Sequence, residues 1–204
     1  MASHADSAFY FDLGSPYAYL VAEQILQAGV GPVPWQPVLA RELAKDSWAP
    51  RAGVREDVAR RAASLGLQAL RWPEPFPFDS EPAMRVATYA KAIGRAVPFA
   101  QAAFRQAFAG GRSLGERDNV LIAAAACEMH PKAVLRAAEQ RSVAKRLAQE
   151  TAAARELGVR EVPALVLDGE VRQGRDCLAE MTRMVEAAAA EVGTAQARAV
   201  EAQP

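Results

Sequence analysis

A serine between a predicted strand and a predicted helix is the first residue that could do chemistry. Ser15 lies in the motif Gly14-Ser15-Pro16-Tyr17, directly after the aromatic segment 8–12. Its hydroxyl can donate a hydrogen bond to an anion such as a thiolate, and the unpaired N–H groups at a helix start favour negative charge. The alternative is a serine that simply caps the helix before a proline. We count Tyr17, in the same motif, among the candidate cofactor-binding residues.

The Val162-Pro163 step is the second candidate, because it precedes a short apolar run and a predicted hairpin. X-Pro bonds are cis in only about 5–6% of cases, so the cis prediction depends on the position of Pro163, at the start of a strand directly before a hairpin. A cis bond at the start of a strand would expose the backbone N–H and C=O of Val162, which could pair with an extended ligand. We therefore predict a cis bond and a binding role for Val162 and Pro163. An ordinary strand-opening proline is the alternative.

The third motif, Gly174-Arg175-Asp176, stands at the start of the last predicted helix. The Asp176 carboxylate could accept a ligand ammonium group, while the N–H groups of the helix start could take a ligand carboxylate. A plain N-cap is the alternative for Asp176. We count Gly174, Arg175 and Asp176 among the candidate cofactor-binding residues.

The motifs are positioned by two pairs of predicted strands, one pair near each end of the chain. Periodicity and β-favouring residues predict strands over residues 8–12, 33–39, 162–167 and 170–173. Asp168-Gly169 is a strong two-residue turn that joins the last two. Prolines place the second strand at an edge of the sheet or shorten it. A helix follows the first strand, and a final helix follows Asp176.

The chain between these groups is rich in alanine and predicted to be helical. Helices are predicted near residues 55–65, 83–97, 99–108, 117–128 and 132–156, the last with a break near Arg141. Residues 71–78 contain three prolines and cannot be helical.

The order β-α-β, helical block, α-β-β-α predicts an α/β fold of the thioredoxin type with a large all-helical domain inserted between its halves. We assign residues 7–39 and 152–192 to the thioredoxin-like domain and residues 40–151 to the helical insertion. Residues 193–204 are predicted to be a flexible tail.

Composition excludes several classes of function. The chain has 204 residues, with 24 Lys+Arg, 24 Asp+Glu and 2 His. A net charge of zero argues against a general nucleic-acid binder or a protein held on an anionic membrane surface. The longest apolar run, residues 120–127, is too short to cross a bilayer. Two cysteines far apart and two histidines predict no metal site, and no secretory signal is evident, so we expect a cytoplasmic protein.

Three segments together resemble a known branch of the DsbA-like thioredoxin proteins, the 2-hydroxychromene-2-carboxylate isomerases and kappa-class glutathione transferases. The segments are FYFDLGSPYAYL, GVREVPALVLDGE and QGRDCL. In that branch a serine replaces the first active-site cysteine. The resemblance implies that Ser15 contacts the glutathione sulfur, that the Val162 backbone beside cis-Pro163 binds the cysteinyl unit, and that Arg175 and Asp176 hold the γ-glutamyl end. It also implies a homodimer.

The inserted segment departs from that branch. It lacks the usual Asn, and the Arg-Trp-Ala triplet reads Arg60-Arg61-Ala62. Arg51 or Arg55 would then serve a glycyl carboxylate, and another low-molecular-weight thiol is the alternative to glutathione. We predict that four aromatic residues form the wall of an apolar second-substrate pocket, unless they only pack the insertion against the core. These residues are Trp48, Trp72, Phe76 and Phe78.

The sequence therefore predicts an enzyme that uses glutathione or another small thiol, without a metal. Its reaction would be the isomerisation of an electrophilic aromatic or unsaturated small molecule, or transfer of the thiol to it. One alternative is a DsbA-like thiol–disulfide oxidoreductase, although Ser15 and Ala18 occupy the CxxC positions and only Cys177 could act. The other is a non-catalytic module that binds an extended peptide beside Pro163.

Overall fold

The computed structural model describes residues 7–44 and 52–201, with side chains described as far as residue 191. Its centre is a four-stranded mixed sheet in the order β2-β1-β3-β4. The strands are β1 (Ala8–Phe11), β2 (Trp35–Pro37), β3 (Ala164–Leu167) and β4 (Glu170–Gln173). Strand β1 pairs in parallel with β2 and antiparallel with β3, and β3 pairs antiparallel with β4. Strand β2 lies at an edge, as its prolines predict.

Both faces of the sheet are buried, which explains the near-continuous apolar character of β1. Phe9 and Phe11 are fully buried in the larger core cluster, together with much of the helical segment. Ala8 and Tyr10 point to the opposite face and pack in a second cluster with Val159. Because successive strand residues face opposite sides, a strand covered on both sides needs apolar residues at every position.

Nine α-helices surround the sheet in the described part of the chain. They are α1 (Pro16–Ala22), α2 (Ala40–Leu43), α3 (Val54–Ser64), α4 (Glu81–Ala92), α5 (Ala96–Phe104), α6 (Arg117–Ala125), α7 (Pro131–Glu139), α8 (Arg141–Glu156) and α9 (Cys177–Glu201). Helices α2 to α8 all lie between β2 and β3 in the chain. This arrangement confirms the predicted thioredoxin-like α/β fold with a helical insertion.

The helix boundaries between residues 81 and 109 differ from the prediction. The helix predicted over residues 83–97 ends at Ala92, because Gly94 adopts a positive φ of 73°. The next helix then begins at Ala96 and continues into a π-helical turn, Arg105–Ala109. The predicted break near Arg141 is confirmed, since Gln140 is extended between α7 and α8.

The C-terminal segment is helical where a flexible tail was predicted. Helix α9 continues through Gly193 to Glu201. A single glycine inside a helix costs about 1 kcal/mol. The alanines, glutamate, glutamine and arginine that follow it have high helix propensity, so the helical backbone continues.

None of the described helices is both long and apolar enough to cross a membrane. Within the described residues there is also no cluster of His, Cys, Asp and Glu that could hold a metal ion.

Candidate active site

The turn between β1 and α1 is fixed by a buried carboxylate. Asp12 is 1% exposed, and its two oxygens accept hydrogen bonds from the backbone N–H groups of Gly14 and Ala40, each at 2.9 Å. Burial raises the pKa of Asp12, although these two hydrogen bonds oppose the shift. Asp12 therefore ties the turn that carries Ser15 to the start of the helical insertion.

Ser15 is the N-cap of α1 and also faces a cavity. Its Oγ accepts a hydrogen bond from the Ala18 N–H at 3.2 Å, and the residue is 6% exposed. Within the described residues the Ser15 hydroxyl donates no hydrogen bond. The cap and the proposed chemistry are therefore compatible, because capping uses an oxygen lone pair and leaves the proton available.

The Val162–Pro163 peptide bond is cis, as the sequence predicts. The Pro163 carbonyl accepts a hydrogen bond from the Gly174 N–H at 2.8 Å, and Pro163 itself is buried. By contrast, neither the N–H nor the C=O of Val162 has a hydrogen-bond partner among residues 7–44 and 52–201. Val162 thus presents one backbone donor and one acceptor beside the cavity.

One cavity of roughly 450 Å³ brings the three predicted motifs together. Its size lies within the range of small-molecule sites. Most of the predicted catalytic and cofactor-binding residues line it; Pro163 lies behind Val162, and Arg51 lies outside the described residues. The predicted residues that line the cavity are Ser15, Tyr17, Val162, Gly174, Arg175 and Asp176.

Asp57 in α3 is the centre of a polar network that sequence reasoning missed. It accepts a hydrogen bond from the Tyr17 hydroxyl at 2.8 Å, and the Arg61 Nε and Arg175 Nη1 atoms donate to it at 3.1 and 3.3 Å. Arg60 donates to its other oxygen at 2.7 Å. The network connects α1, α3 and the segment before α9 around one carboxylate.

This network controls the ionisation of its members. Desolvation raises the pKa of Asp57, but the Tyr17 hydrogen bond and the charges of Arg61 and Arg175 outweigh it, so the pKa lies below its ordinary value. Desolvation and the nearby Asp57 raise the pKa of Tyr17. At neutral pH Asp57 is therefore an anion and Tyr17 a neutral donor to it.

A signal for Asp57 was present in the sequence of α3. Val58 and Ala62 are buried on one face of this helix, and Asp57 lies beside them at 9% exposure. A carboxylate on the apolar face of a helix needs partners, and Arg60 and Arg61 stand at the i+3 and i+4 positions that can supply them.

Asp176 directly precedes α9, and its carboxylate is engaged by arginine. Arg61 Nη1 lies 2.8 Å from one Asp176 oxygen, and the Arg175 Nε lies 3.5 Å from the other. Glu161 and Glu180 also line the cavity. Sequence reasoning assigned no role to Arg61, Glu161 or Glu180.

The aromatic wall predicted for a second substrate is only partly present. Phe76 lines the cavity, and Trp72 packs behind it with the two ring centroids 4.8 Å apart. Phe78 is 5% exposed and belongs to the core, because its ring is covered by the helical segment. Trp72 and Phe78 therefore do not line this cavity. Trp48 lies outside the described residues.

Neither cysteine has a reactive thiol, because both are buried and burial raises their pKa values. Cys177 is fully buried, and burial, with the charge of Glu180 adding to it, raises the pKa of its thiol to about 12. Burial also raises the pKa of Cys127. Neither thiol forms a disulfide. Cys177 is thus a protonated core residue, and the one-cysteine route of the oxidoreductase alternative lacks a reactive thiolate.

Several solved structures are similar to the chain. A 2-hydroxychromene-2-carboxylate isomerase has a TM-score of 0.79 at 20% identity, with 94% of this chain and 98% of that chain covered. A protein described as a probable DsbA oxidoreductase from Streptomyces coelicolor has a TM-score of 0.71 at 18% identity, covering 91% and 90%. The cytosolic disulfide reductase DsbM from Pseudomonas aeruginosa has a TM-score of 0.62 at 16% identity, covering 89% and 97%. At these identities the likeness shows the fold.

No curated protein sequence matches the chain. A family model for DSBA-like thioredoxin domains matches residues 8–186, a range that includes the whole sheet and every residue that lines the cavity. Since the match extends over most of the chain and agrees with the topology of the sheet, the chain belongs to the family of DSBA-like thioredoxin domains.

Proposed function

We propose that the chain is a thiol-dependent isomerase or transferase that acts on an electrophilic aromatic or α,β-unsaturated small molecule. The observation that carries this proposal is the Ser15 hydroxyl. It lines the cavity, it is 6% exposed, and it donates no hydrogen bond to any described residue. The Ser15 oxygen already accepts the Ala18 N–H, and its proton remains available to a ligand in the cavity. A thiolate sulfur is an acceptor of the kind this position can serve.

The residues around the cavity fit the rest of a small peptide-like thiol. Val162 offers an unpaired N–H and an unpaired C=O, and a cysteinyl unit can pair with both in the manner of a short β-strand. One structure of the neighbour DsbM from Pseudomonas aeruginosa contains GSH. Glutathione is therefore the thiol we test first, and any other low-molecular-weight thiol with a cysteinyl-like backbone fits the same groups.

The bound thiolate would add to an electrophilic carbon of a conjugated C=C bond, whose π electron pair moves to the acceptor group. In an isomerase the adduct would rotate about the resulting single bond, and the electron pair would return to restore C=C and expel the thiolate. In a transferase the adjacent carbon would take a proton from solvent and the C–S bond would be kept. The protein would lower the pKa of the thiol and orient it. Because α1 has seven residues and Ser15 itself occupies the Ala18 N–H, we assign this stabilisation to the hydroxyl more than to the helix dipole. A hydrogen bond to a charged group contributes about 1.5–3 kcal/mol, or about one to two pKa units.

The oxidoreductase alternative has less support from the same cavity. Ser15 and Ala18 cannot form a disulfide, and Cys177 is buried with its pKa raised to about 12. A dithiol exchange reaction needs an accessible thiolate. The described site holds a hydroxyl in its place.

A second candidate is the peptide-binding module, which the unpaired backbone groups of Val162 favour. An extended peptide could use this donor and acceptor as it uses the edge of a sheet. This candidate gives no role to the Ser15 proton. Removing the Ser15 hydroxyl should therefore change ligand binding in a thiol-dependent enzyme and leave ligand binding unchanged in a peptide binder.

The test is a calorimetric titration of the protein, Ser15→Ala and Ser15→Thr with glutathione and with a panel of other small thiols. The pKa of the bound thiol is followed by its ultraviolet thiolate absorbance. We expect Ser15→Thr to keep a thiol pKa lowered by at least one unit and Ser15→Ala to lose that shift. Equal thiol pKa values in all three proteins, or binding only of thiol-free peptides, would contradict the proposal. Thermal unfolding checks that Ser15→Ala costs only the approximately 1 kcal/mol expected for a lost cap.

A further inference from the structure

Helix α3 contacts both the polar and the aromatic side of the cavity. On the polar side, Asp57 contacts Tyr17 and Arg175. Two residues earlier in the helix, Arg55 is exposed and does not line the cavity. Its guanidinium carbon lies 5.1 Å from the centroid of the Trp72 ring, which is within the distance of a cation–π interaction. The start of α3 thus reaches the aromatic residues of the inserted segment through Arg55.

Arg55 contacts this ring and no carboxylate. It forms no ion pair and no hydrogen bond with any described residue. An arginine side chain loses conformational entropy when it is held in one place, so a defined contact has to compensate for that loss. The face of the Trp72 ring supplies such a contact, because its electron density attracts a cation. The Arg55 guanidinium therefore covers one face of Trp72.

Trp72 packs in turn against Phe76, the aromatic residue that lines the cavity. Their ring centroids are 4.8 Å apart and their planes are inclined by 68°. Phe108, which is fully buried, contacts both rings edge to face, at 6.1 Å from Trp72 and 6.3 Å from Phe76. Aromatic pairs at these separations and angles are favourable beyond the area that they bury. The position of the Phe76 ring therefore depends on Trp72 and Phe108.

The backbone that carries these rings, residues 71–78, is held at both ends. At one end the Arg71 N–H donates a hydrogen bond to the Phe108 carbonyl at 2.8 Å. At the other end Phe78 is 5% exposed and belongs to the core. The three prolines of the segment fix φ at their own positions. Since the backbone has little freedom, the neighbours of the Phe76 side chain decide where its ring lies.

Phe76 is half-buried and lines the same cavity as Ser15. Val54, the residue before Arg55, and Pro77, the residue after Phe76, line it as well. These side chains give the cavity an apolar surface in addition to its charged groups. A group attached to a sulfur beside Ser15 would share one cavity of roughly 450 Å³ with the Phe76 ring.

We infer that Arg55 is a positioning residue for the second substrate: through Trp72 it fixes the Phe76 ring, against which an aromatic group bound to the sulfur packs. This inference rests on the proposed function, because it assigns Arg55 to the specificity of that reaction. Arg55 lies over Trp72 and outside the cavity, so we give it this role in place of a contact with a glycyl carboxylate. Removing Arg55 would weaken the binding of an aromatic group and leave the binding of an aliphatic group of the same size unchanged.

The test compares S-benzylglutathione with S-(cyclohexylmethyl)glutathione, which share the tripeptide and differ in whether the six-membered ring is aromatic. Calorimetry gives both Kd values for the unaltered protein, Arg55→Gln, Arg55→Lys, Phe76→Leu and the double variant Arg55→Gln/Phe76→Leu. Arg141→Gln is the matched control, since Arg141 is also exposed at the start of a helix and does not line the cavity. The ratio of the two Kd values removes any effect on the tripeptide that is common to both ligands.

We expect the unaltered protein to bind the benzyl ligand about two- to tenfold more tightly, the size of an aromatic pair interaction. Arg55→Gln should reduce this preference about twofold, as expected for an exposed cation–π contact, and Arg55→Lys should keep part of it. Arg141→Gln should leave it unchanged. In Phe76→Leu the preference should fall, and adding Arg55→Gln should then have no further effect, because Arg55 acts through Phe76.

Two results of this binding experiment overturn the inference. The first is an effect of Arg55→Gln that is absent, or that is equally large with and without the Phe76 ring. The second is a failure of the unaltered protein to bind either ligand or to distinguish the two.

A second measurement follows the contact between Arg55 and Trp72 itself. Quenching of tryptophan fluorescence by acrylamide is measured in a Trp48→Phe background, where Trp35 contributes little because it is 2% exposed. Arg55→Gln should increase the quenching, since it uncovers one face of Trp72, and Arg141→Gln should not. Equal quenching in these two variants and their parent would overturn the inference, whatever happens to ligand binding.

The two ligands also separate this inference from the proposed function, because neither carries a free thiol. If the aromatic preference depends on Arg55 while Ser15→Ala has no effect on the pKa of a bound thiol, the role of Arg55 stands and the thiol-dependent reaction fails. If Ser15→Ala raises the thiol pKa and the aromatic preference does not depend on Arg55, the reaction stands and the role of Arg55 fails.

Discussion

The Tyr17 hydroxyl donates a hydrogen bond to Asp57 Oδ2 at 2.8 Å, and this contact between residues 40 positions apart connects helices α1 and α3. Tyr17 follows the proposed thiolate-binding Ser15 by two residues. Asp57 holds Arg61 and Arg175, which in turn hold Asp176. One hydrogen bond thus links the Ser15 helix to the charged wall of the cavity.

Replacing Tyr17 by Phe should lower the free energy of unfolding by about 1.5 kcal/mol, the lower end of the range for a hydrogen bond to a charged group, because the position is only half-buried. Tyr89→Phe is the matched control, since Tyr89 is also half-buried and its hydroxyl has no partner among the described residues. Denaturant unfolding gives both values. A loss in Tyr89→Phe as large as that in Tyr17→Phe would show that the hydrogen bond contributes nothing of its own.

The pH dependence of stability should show the low pKa of Asp57. Its pKa is lower in the folded protein than in the unfolded chain, so its ionised form stabilises the fold above the unfolded pKa of about 3.9. That contribution is lost as the pH falls through the lower folded pKa. The difference in Tm between the unaltered protein and Asp57→Asn should be constant from pH 6 to 7 and should shrink below about pH 4. The raised pKa of Asp12 affects both proteins equally and cancels. A difference that grows on acidification would contradict the assignment.

Neither cysteine of the native protein should react readily with a thiol reagent. Cys177 is fully buried with its pKa raised to about 12, and Cys127 is 6% exposed. At neutral pH the thiolate fraction of Cys177 is roughly a thousandfold below that of a free cysteine. Labelling followed by mass spectrometry should find both thiols unmodified in the native protein and both modified in denaturant. Rapid modification of Cys177, together with insulin-reducing activity that Cys177→Ser removes, would restore the oxidoreductase alternative.

Local sequence rules were sufficient for the sheet and for the three motifs. The aromatic run of β1 and the Asp168-Gly169 turn specify their own geometry, whereas the cis Val162-Pro163 bond was predicted from its place before the hairpin; the structure contains all three as predicted. Their convergence on one cavity follows from the thioredoxin topology, which places β1 beside β3. Elements whose conformation is specified by their local sequence could therefore be predicted without the tertiary structure.

The polar network could not be found in this way because its bonds cross long distances in the chain. Arg61 and Asp176 are separated by 115 positions, and their contact depends on how α3 packs beside the start of α9. Composition alone also does not say whether Phe76 or Phe78 faces the cavity, and in the structure only Phe76 of these two does. Packing between elements decides both questions.

The close approach of Gly174 and Glu161 gives the last prediction. Gly174 has φ of +83°, and a Cβ there would lie 2.7 Å from Glu161 Oε1. Gly169 is a matched control, because its φ is +82° and a Cβ there would meet nothing within 4 Å. Gly169→Ala and Gly174→Ala should each cost the approximately 1–2 kcal/mol of a left-handed alanine in denaturant unfolding, because Glu161 Oε1 is the end of a flexible side chain that can turn away from the added Cβ. Adding Glu161→Ala to Gly174→Ala should therefore change the loss little. A Gly174→Ala loss well above that of Gly169→Ala, and relieved by Glu161→Ala, would show instead that the Glu161 carboxylate is held in place.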